Sequence, residues 1–211
     1  MKYLLFDFDG TLVDSMPVWS QKMLNILIES KVEYPTDIIK TITPLGDLGT
    51  AKYFKKTFKI DLTIDEMLAK MDKYAQPFYE RWIPLKPYVR ERLMQLKKDG
   101  HSLNILTASP HKMLDPCLKR LGIWGLFDNV WSCDDFKTTK SDVNIYNLVV
   151  EKLNIDISEL IFFDDNIEAI RTAKKANCLV YGVYDDSSLE QIETIKKSAD
   201  KFIYYFEEIE L

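Results

Sequence analysis

Two aspartates separated by one residue, Asp7 and Asp9, follow the apolar run Leu4-Leu5-Phe6 and precede Gly10-Thr11. Carboxylates this close repel, and they share a site only with a cation between them or with one of them protonated. A hard divalent cation such as Mg²⁺ is readily held by one or two carboxylates. A carboxyl that keeps its proton acts instead as a general acid. The bare string D-x-D-G also fits a simple turn after a strand. Further along stand Thr107-Ala108-Ser109, Lys140 and the adjacent pair Asp164-Asp165. They add hydroxyls, an ammonium and two more carboxylates, an inventory suited to phosphoryl transfer, where alignment and charge neutralisation do most of the catalysis.

Each group has a plainer alternative. Thr107 can bond its own loop, Ser109 can cap a helix beginning near Pro110, and Lys140 can be a solvated lysine, with Lys137 as a neighbouring substitute. Asp164 and Asp165 can serve as N-cap and first-turn acids of the next helix. Position along the chain argues for function. Leu4–Phe6 reads as a buried parallel strand, and alternation sends Asp7 and Asp9 to one side of it. From Tyr88 onward the pattern alternates: helix to Lys98, ended by Asp99-Gly100; strand 103–106; helix 111–121; a short strand near Val130; helix 142–153. Strand 161–163, helix 166–176, strand 179–183 and helix 188–197 follow, with the aromatic stretch 202–206 as a last strand or packed turn. This repetition predicts an α/β fold with a parallel, right-handed crossover sheet, its ligand crevice at the carboxyl ends of the strands. All the groups named above fall at those ends or in the loops beside them.

Residues 15–84 read differently, as helices. Val18, Met23, Leu24, Leu27 and Ile28 mark one to about Ser30, and Pro35-Thr36 open a short second piece punctuated by Pro44, Gly46 and Gly49. A third covers about 50–58, and a fourth covers 65–79 with Met67, Leu68, Met71 and Tyr74 on one face. Asp14 is placed as a cap for the first of these helices. Trp19, Lys22, Lys52 and Arg81 are read as solvated or packing residues. The expected division is a core domain of 1–14 and 85–211 with a helical domain of 15–84 inserted.

The string Asp7 to Asp14, D-F-D-G-T-L-V-D, resembles the first motif of the haloacid dehalogenase-like superfamily. Thr107 in L-T-A-S resembles its second motif. K-S-D-V-N-I-Y from Lys140 resembles its third, with Ser141 and Val143 in place of two prolines. Asp164-Asp165 with the following T-A-K-K-A-N resembles the fourth, with Asn177 where Gly is usual and Ala169 at a position acidic in some members. The resemblance implies a Rossmann-like core with a helical cap, as in subclass I phosphoglycolate phosphatases and β-phosphoglucomutases. It implies Asp7 as nucleophile, becoming an aspartyl phosphate, and Asp9 as general acid then base. Thr107, Ala108, Ser109 and Lys140 bind the phosphoryl group, and Mg²⁺ is held by Asp7, Asp9 (through its backbone carbonyl) and Asp165, with Asp164 nearby. The implied activity is hydrolysis of a small phosphate monoester such as phosphoglycolate, a sugar phosphate or a nucleotide monophosphate. A sugar phosphomutase uses the same residues, and a phosphoacceptor signalling or binding protein is the alternative of a different class. A dehalogenase is disfavoured by Asp9 and Asp165.

Composition narrows the partners. Of 211 residues, 46% are hydrophobic and 29% charged, with a net charge of −5. That balance fits an ordinary globular protein and argues against a nucleic-acid polymer as partner. No run approaches the length of a membrane span, and no leader is recognised. Cys117, Cys133 and Cys178 lack paired spacing and read as reduced thiols of a cytoplasmic protein, a monomer or weak dimer.

Overall fold

A computed structural model describes residues 1–42 and 45–211. Pro44, read above as punctuation, lies outside them. The chain divides into two compact units, residues 1–14 with 83–211, and residues 15–82. The second border thus falls two residues before the position read from the sequence.

The first unit is built on six strands: β1 (Tyr3–Phe6), β2 (Ser102–Thr107), β3 (Asn129–Ser132), β4 (Leu160–Asp164), β5 (Leu179–Val183) and β6 (Lys201–Ile203). Their order is β3-β2-β1-β4-β5-β6, with every pairing parallel. Strand order reverses between β1 and β4, which in such sheets is where a ligand crevice opens. The two central strands β1 and β4 form because their runs are continuously apolar up to the strand end rather than alternating. Leu4, Leu5, Phe6 and all of β4 are buried, as a sheet covered on both faces requires.

One row of rings fixes the register near the crevice. Phe6 pairs with Phe163 and Phe163 with Tyr181, and these rings stack at 4.6 and 4.7 Å. Stacked aromatics across adjacent strands add to the gain from burial. Slipping β4 by one residue would break the row and turn every side chain to the other face. The residues directly after the row, Asp7 and Asp164, are therefore held level with each other.

The inserted unit comprises α1 (Met16–Glu29), α2 (Ile38–Ile42), α3 (Gly46–Thr57) and α4 (Ile64–Arg81). Its core joins Met23, Ile26 and Leu27 with Ile38, Ile42, Ala51, Phe54, Met67 and Met71. Met67, Met71, Ala75 and Tyr79 form the buried stripe of α4, four residues apart. A reciprocal capping box between Thr63 and Glu66 starts that helix. The α3 helix begins four residues before the expected Thr50, so Gly46 and Gly49 lie in its first turn instead of before it. Asp14 does not cap α1; the N-cap position is Ser15, and Asp14 is exposed. Lys22 is not solvated: it is 2% exposed, bonded to Asp47 at 2.7 Å and set over the Trp19 ring.

The sheet helices are α5 (Val89–Lys98), α6 (His111–Arg120), α7 (Asn144–Leu153), α8 (Ile167–Lys175) and α9 (Ile192–Ser198). The expected helix 188–197 is instead a 3₁₀ turn, 186–191, followed by α9. Asp185 accounts for this, because its carboxylate accepts the Ser187 N–H and tightens the turn. The expected helix from Asp142 starts at Asn144, whose N–H is accepted by the Asp142 carboxylate. Among the described residues no helix is long and apolar enough to cross a membrane. The three cysteines are buried and unbridged.

Candidate active site

Asp7 leaves β1 with its N–H bonded to the Phe163 carbonyl at 2.9 Å, extending the β1–β4 ladder by one residue. Its side chain thereby joins those of Asp164 and Asp165. One carboxylate oxygen from each of the three lies within 4.8 Å of the others, and all three side chains are buried. Lys140 closes the group from the segment before α7. Its Nζ is 2.6 Å from Asp7 Oδ1 and 2.6 Å from Asp164 Oδ2. Asp164 also accepts the Asn166 N–H through its other oxygen, at 2.7 Å.

The helix-capping alternative for the acid pair does not hold. Asn166 caps α8, accepting from the Glu168 and Ala169 N–H groups, so neither acid is the N-cap and both belong to the buried group with Asp7. Lys140 is similarly removed from bulk solvent, its side chain 13% exposed, whereas Lys137 is exposed. The backbone of its segment is pinned by Tyr146, whose hydroxyl lies 3.2 Å from the Lys140 carbonyl.

Thr107 ends β2 and is 1% exposed. Its Oγ1 accepts the Ser109 N–H at 3.0 Å, shaping the turn in which Ala108 is the exposed residue. Ser109 does not cap α6, whose N-cap position is Pro110. Its hydroxyl instead donates to Asp9 Oδ2 at 2.5 Å, binding the loop after β2 to the loop after β1. Asp9 thus stands apart from the three-carboxylate group, against the hydroxyl side of the crevice.

The Asp165 carboxylate is seated on Gly10. A Cβ at Gly10 would lie 2.6 Å from Asp165 Oδ2, and Gly10 has φ +77°. Thr11 Oγ1 donates to Asp165 Oδ1 at 2.9 Å. Gly10→Ala is therefore expected to displace Asp165 and to cost about 1–2 kcal/mol from the left-handed backbone alone. Urea unfolding measures the stability loss.

Electrostatically the site is short of positive charge. Burial is the largest influence on Asp7, raising its pKa to about 7; Lys140 opposes it, and Asp164 and Asp9 reinforce it. Burial also raises Asp165 well above the usual carboxylate range, reinforced by Asp164. Burial works against the Lys140 ammonium, but Asp164 and Asp7 outweigh it and keep the lysine charged. When all three carboxylates are ionised, they and the one ammonium leave two negative charges, the complement of a divalent cation, and the donors are all oxygen.

A pH dependence follows for the metal-free protein. The folded pKa of Asp7 lies above its unfolded value of 3.8, so the folded state holds the extra proton. Its contribution to stability is fully present below pH 3.8 and is lost as pH rises through about 7. Melting in EDTA from pH 4 to 8 is expected to show this decline.

Two participants escaped the sequence reading. Lys86 and Asp185 form a pair at 2.9 Å, their side chains 15% and 5% exposed. Asp185 directly follows β5 and Tyr184, so the strand-end position that marked the other acids was also its signal. His111 bridges Asp115 and Asp135 at 2.8 and 2.9 Å, joining α6 to the turn after β3.

A six-stranded parallel sheet in this order, with carboxylates, hydroxyls and a lysine at its carboxyl edge, defines an α/β enzyme scaffold. A family model described as haloacid dehalogenase-like hydrolase matches residues 4–183, and the chain belongs to that family. A phosphorylated carbohydrates phosphatase of Thermotoga maritima is 24% identical over 184 residues, covering 87% of this chain and 85% of the relative. A phosphoglycolate phosphatase of Vibrio vulnificus is 27% identical, with 87% and 83% covered. In fold, the chain is similar to CbbY from Rhodobacter sphaeroides in complex with phosphate, at TM-score 0.84 and 18% identity, covering 99% and 96% of the two chains. It is also similar to a β-phosphoglucomutase from Clostridium difficile, at TM-score 0.80 and 15% identity, covering 100% and 94%.

Proposed function

We propose that this chain is a Mg²⁺-dependent phosphatase that hydrolyses a small phosphate monoester through an aspartyl phosphate at Asp7. The observation that carries the reading is Lys140 bonded to both Asp7 and Asp164, with Asp165 beside them. It places a candidate nucleophile next to a fixed cation and a set of hard oxygen ligands. The relatives named as phosphatases support the reaction class.

In this mechanism Asp7 attacks phosphorus in line with the leaving oxygen. Asp9, oriented by the Ser109 hydroxyl, gives its proton to that oxygen and then takes one from the water that hydrolyses the aspartyl phosphate. Lys140 and the Thr107 turn hold the phosphoryl oxygens. Asp7, Asp165, Asp164 and the Asp9 carbonyl would hold the cation, which would supply charge neutralisation there. Residues 15–82 take the part of the cap. A phosphomutase is the second reading, favoured by the fold likeness to a β-phosphoglucomutase.

The test is phosphate release from glycolate, sugar and nucleoside monophosphates, with Mg²⁺ or with EDTA. Mg²⁺-dependent release is the expected result. Exchange between sugar phosphate isomers without release moves the mutase forward, and no turnover under either condition removes both.

A further inference from the structure

We infer that Lys86 is a positioning residue: its ammonium, steadied by Asp185, grips the Gly10 carbonyl and so fixes the loop that carries Asp9 and seats Asp165. The inference rests on the phosphatase reading above.

An ammonium has three N–H donors. Those of Lys86 meet the Gly10 carbonyl at 2.5 Å, the Tyr184 carbonyl at 2.5 Å and Asp185 Oδ2 at 2.9 Å. The lysine backbone holds the same loop from its other end. The Lys86 N–H donates to the Leu12 carbonyl at 3.0 Å, and Leu85 lies antiparallel to Val13. Residues 10–13 are therefore held at both ends of one residue.

The connections close into a ring. Gly10 lies directly beneath the Asp165 carboxylate, which Thr11 also holds. The Asp165 carbonyl accepts from Ser188 Oγ at 3.1 Å. Ser188 belongs to the 3₁₀ turn that Asp185 starts by accepting the N–H and hydroxyl of Ser187 at 2.9 and 2.6 Å. From Asp185 the path returns to Lys86. Thus the loops after β1 and β5 are joined through one ammonium, and the loop after β4 is tied to both through Asp165.

Stability alone is a weak reason for such a pair. A buried Lys–Asp pair gains little over well-packed apolar side chains. What it supplies is direction, because three bonds converge from fixed elements onto one carbonyl. Groups that orient metal ligands without touching the metal act in this way, and losing one typically reduces metal affinity or activity by about 10–100-fold. A compact ammonium fits three converging oxygens, which a planar guanidinium does not.

The experiment compares wild type, Lys86→Met and Asp185→Asn in three measurements: calorimetric titration with Mg²⁺ alone, steady-state hydrolysis of p-nitrophenyl phosphate, and thermal melting. Lys86→Met is expected to weaken Mg²⁺ binding and lower kcat by about 10–100-fold, with KM little changed. Asp185→Asn keeps both carbonyl bonds of Lys86 and is expected to give the same split in smaller measure, carrying the test if Lys86→Met does not fold. Wild-type kcat and Mg²⁺ affinity in a folded Lys86→Met, or in Asp185→Asn if only that variant folds, would overturn the inference. So would a loss of activity that merely tracks the fraction unfolded. A wild type that neither binds Mg²⁺ nor releases phosphate overturns the phosphatase reading itself, and the positioning role with it.

Discussion

Asp7→Asn is expected to lower phosphate release by about 10⁴-fold or more, the scale seen when a nucleophile is removed from a catalytic unit. The change keeps the size and shape of a side chain that is 5% exposed. It removes the carboxylate that adjoins Lys140 and directly follows β1. Stability should move the other way. Burial makes the ionised Asp7 costly, with its pKa raised to about 7, and a neutral amide escapes that cost above neutral pH. At pH 8 in EDTA the variant should therefore melt no lower than wild type. An inactive but undamaged protein separates a chemical role from a structural one, whereas retained activity would exclude Asp7 as nucleophile.

Lys140→Met has the second largest expected effect, and it falls on stability and activity together. Asp7 and Asp164 would face each other without their shared ammonium, which stands 2.6 Å from each. Removing one partner of a buried ion pair typically costs about 3–5 kcal/mol. On the proposed role of Lys140 in gripping the phosphoryl oxygens, its loss should cost a further 10²–10³-fold, about 3–4 kcal/mol, in turnover. The stability deficit should shrink as pH falls from 8 to 5, since Asp7 then takes up a proton and the repulsion eases. Urea unfolding at the two pH values in EDTA measures this. An equal deficit at both would show that Lys140 does not act on ionised Asp7.

The core was legible in the sequence because a parallel sheet covered on both faces writes itself as short apolar runs ending in polar clusters. Leu4–Phe6, Leu103–Leu106 and Ile161–Phe163 are such runs, and Asp7, Thr107 and Asp164 stand where they end. Lys140 was legible only through the motif around it, since nothing about a lone lysine announces that two buried carboxylates await it. Ser109 shows the limit of local reasoning. A serine before Pro110 looks like a helix cap, yet its hydroxyl goes to Asp9, 100 residues away. Lys86 was hidden for the same reason: its three acceptors come from loops that only the folded sheet brings together. Helix starts at Gly46 and Asn144 were misplaced because glycine and an acid near a helix start read as breakers or first-turn residues until packing or a cap decides.

The proposed mechanism turns on a covalent bond between phosphorus and Asp7. The direct measurement mixes enzyme, Mg²⁺ and a turned-over phosphate ester, quenches in acid within one turnover, and maps the phosphoryl group on peptides by mass spectrometry. That mechanism predicts a phosphoryl group on the peptide containing Asp7 in wild type and none in Asp7→Asn. Full phosphate release from wild type with that peptide unmodified at every quench time, and undiminished release from Asp7→Asn, would contradict it.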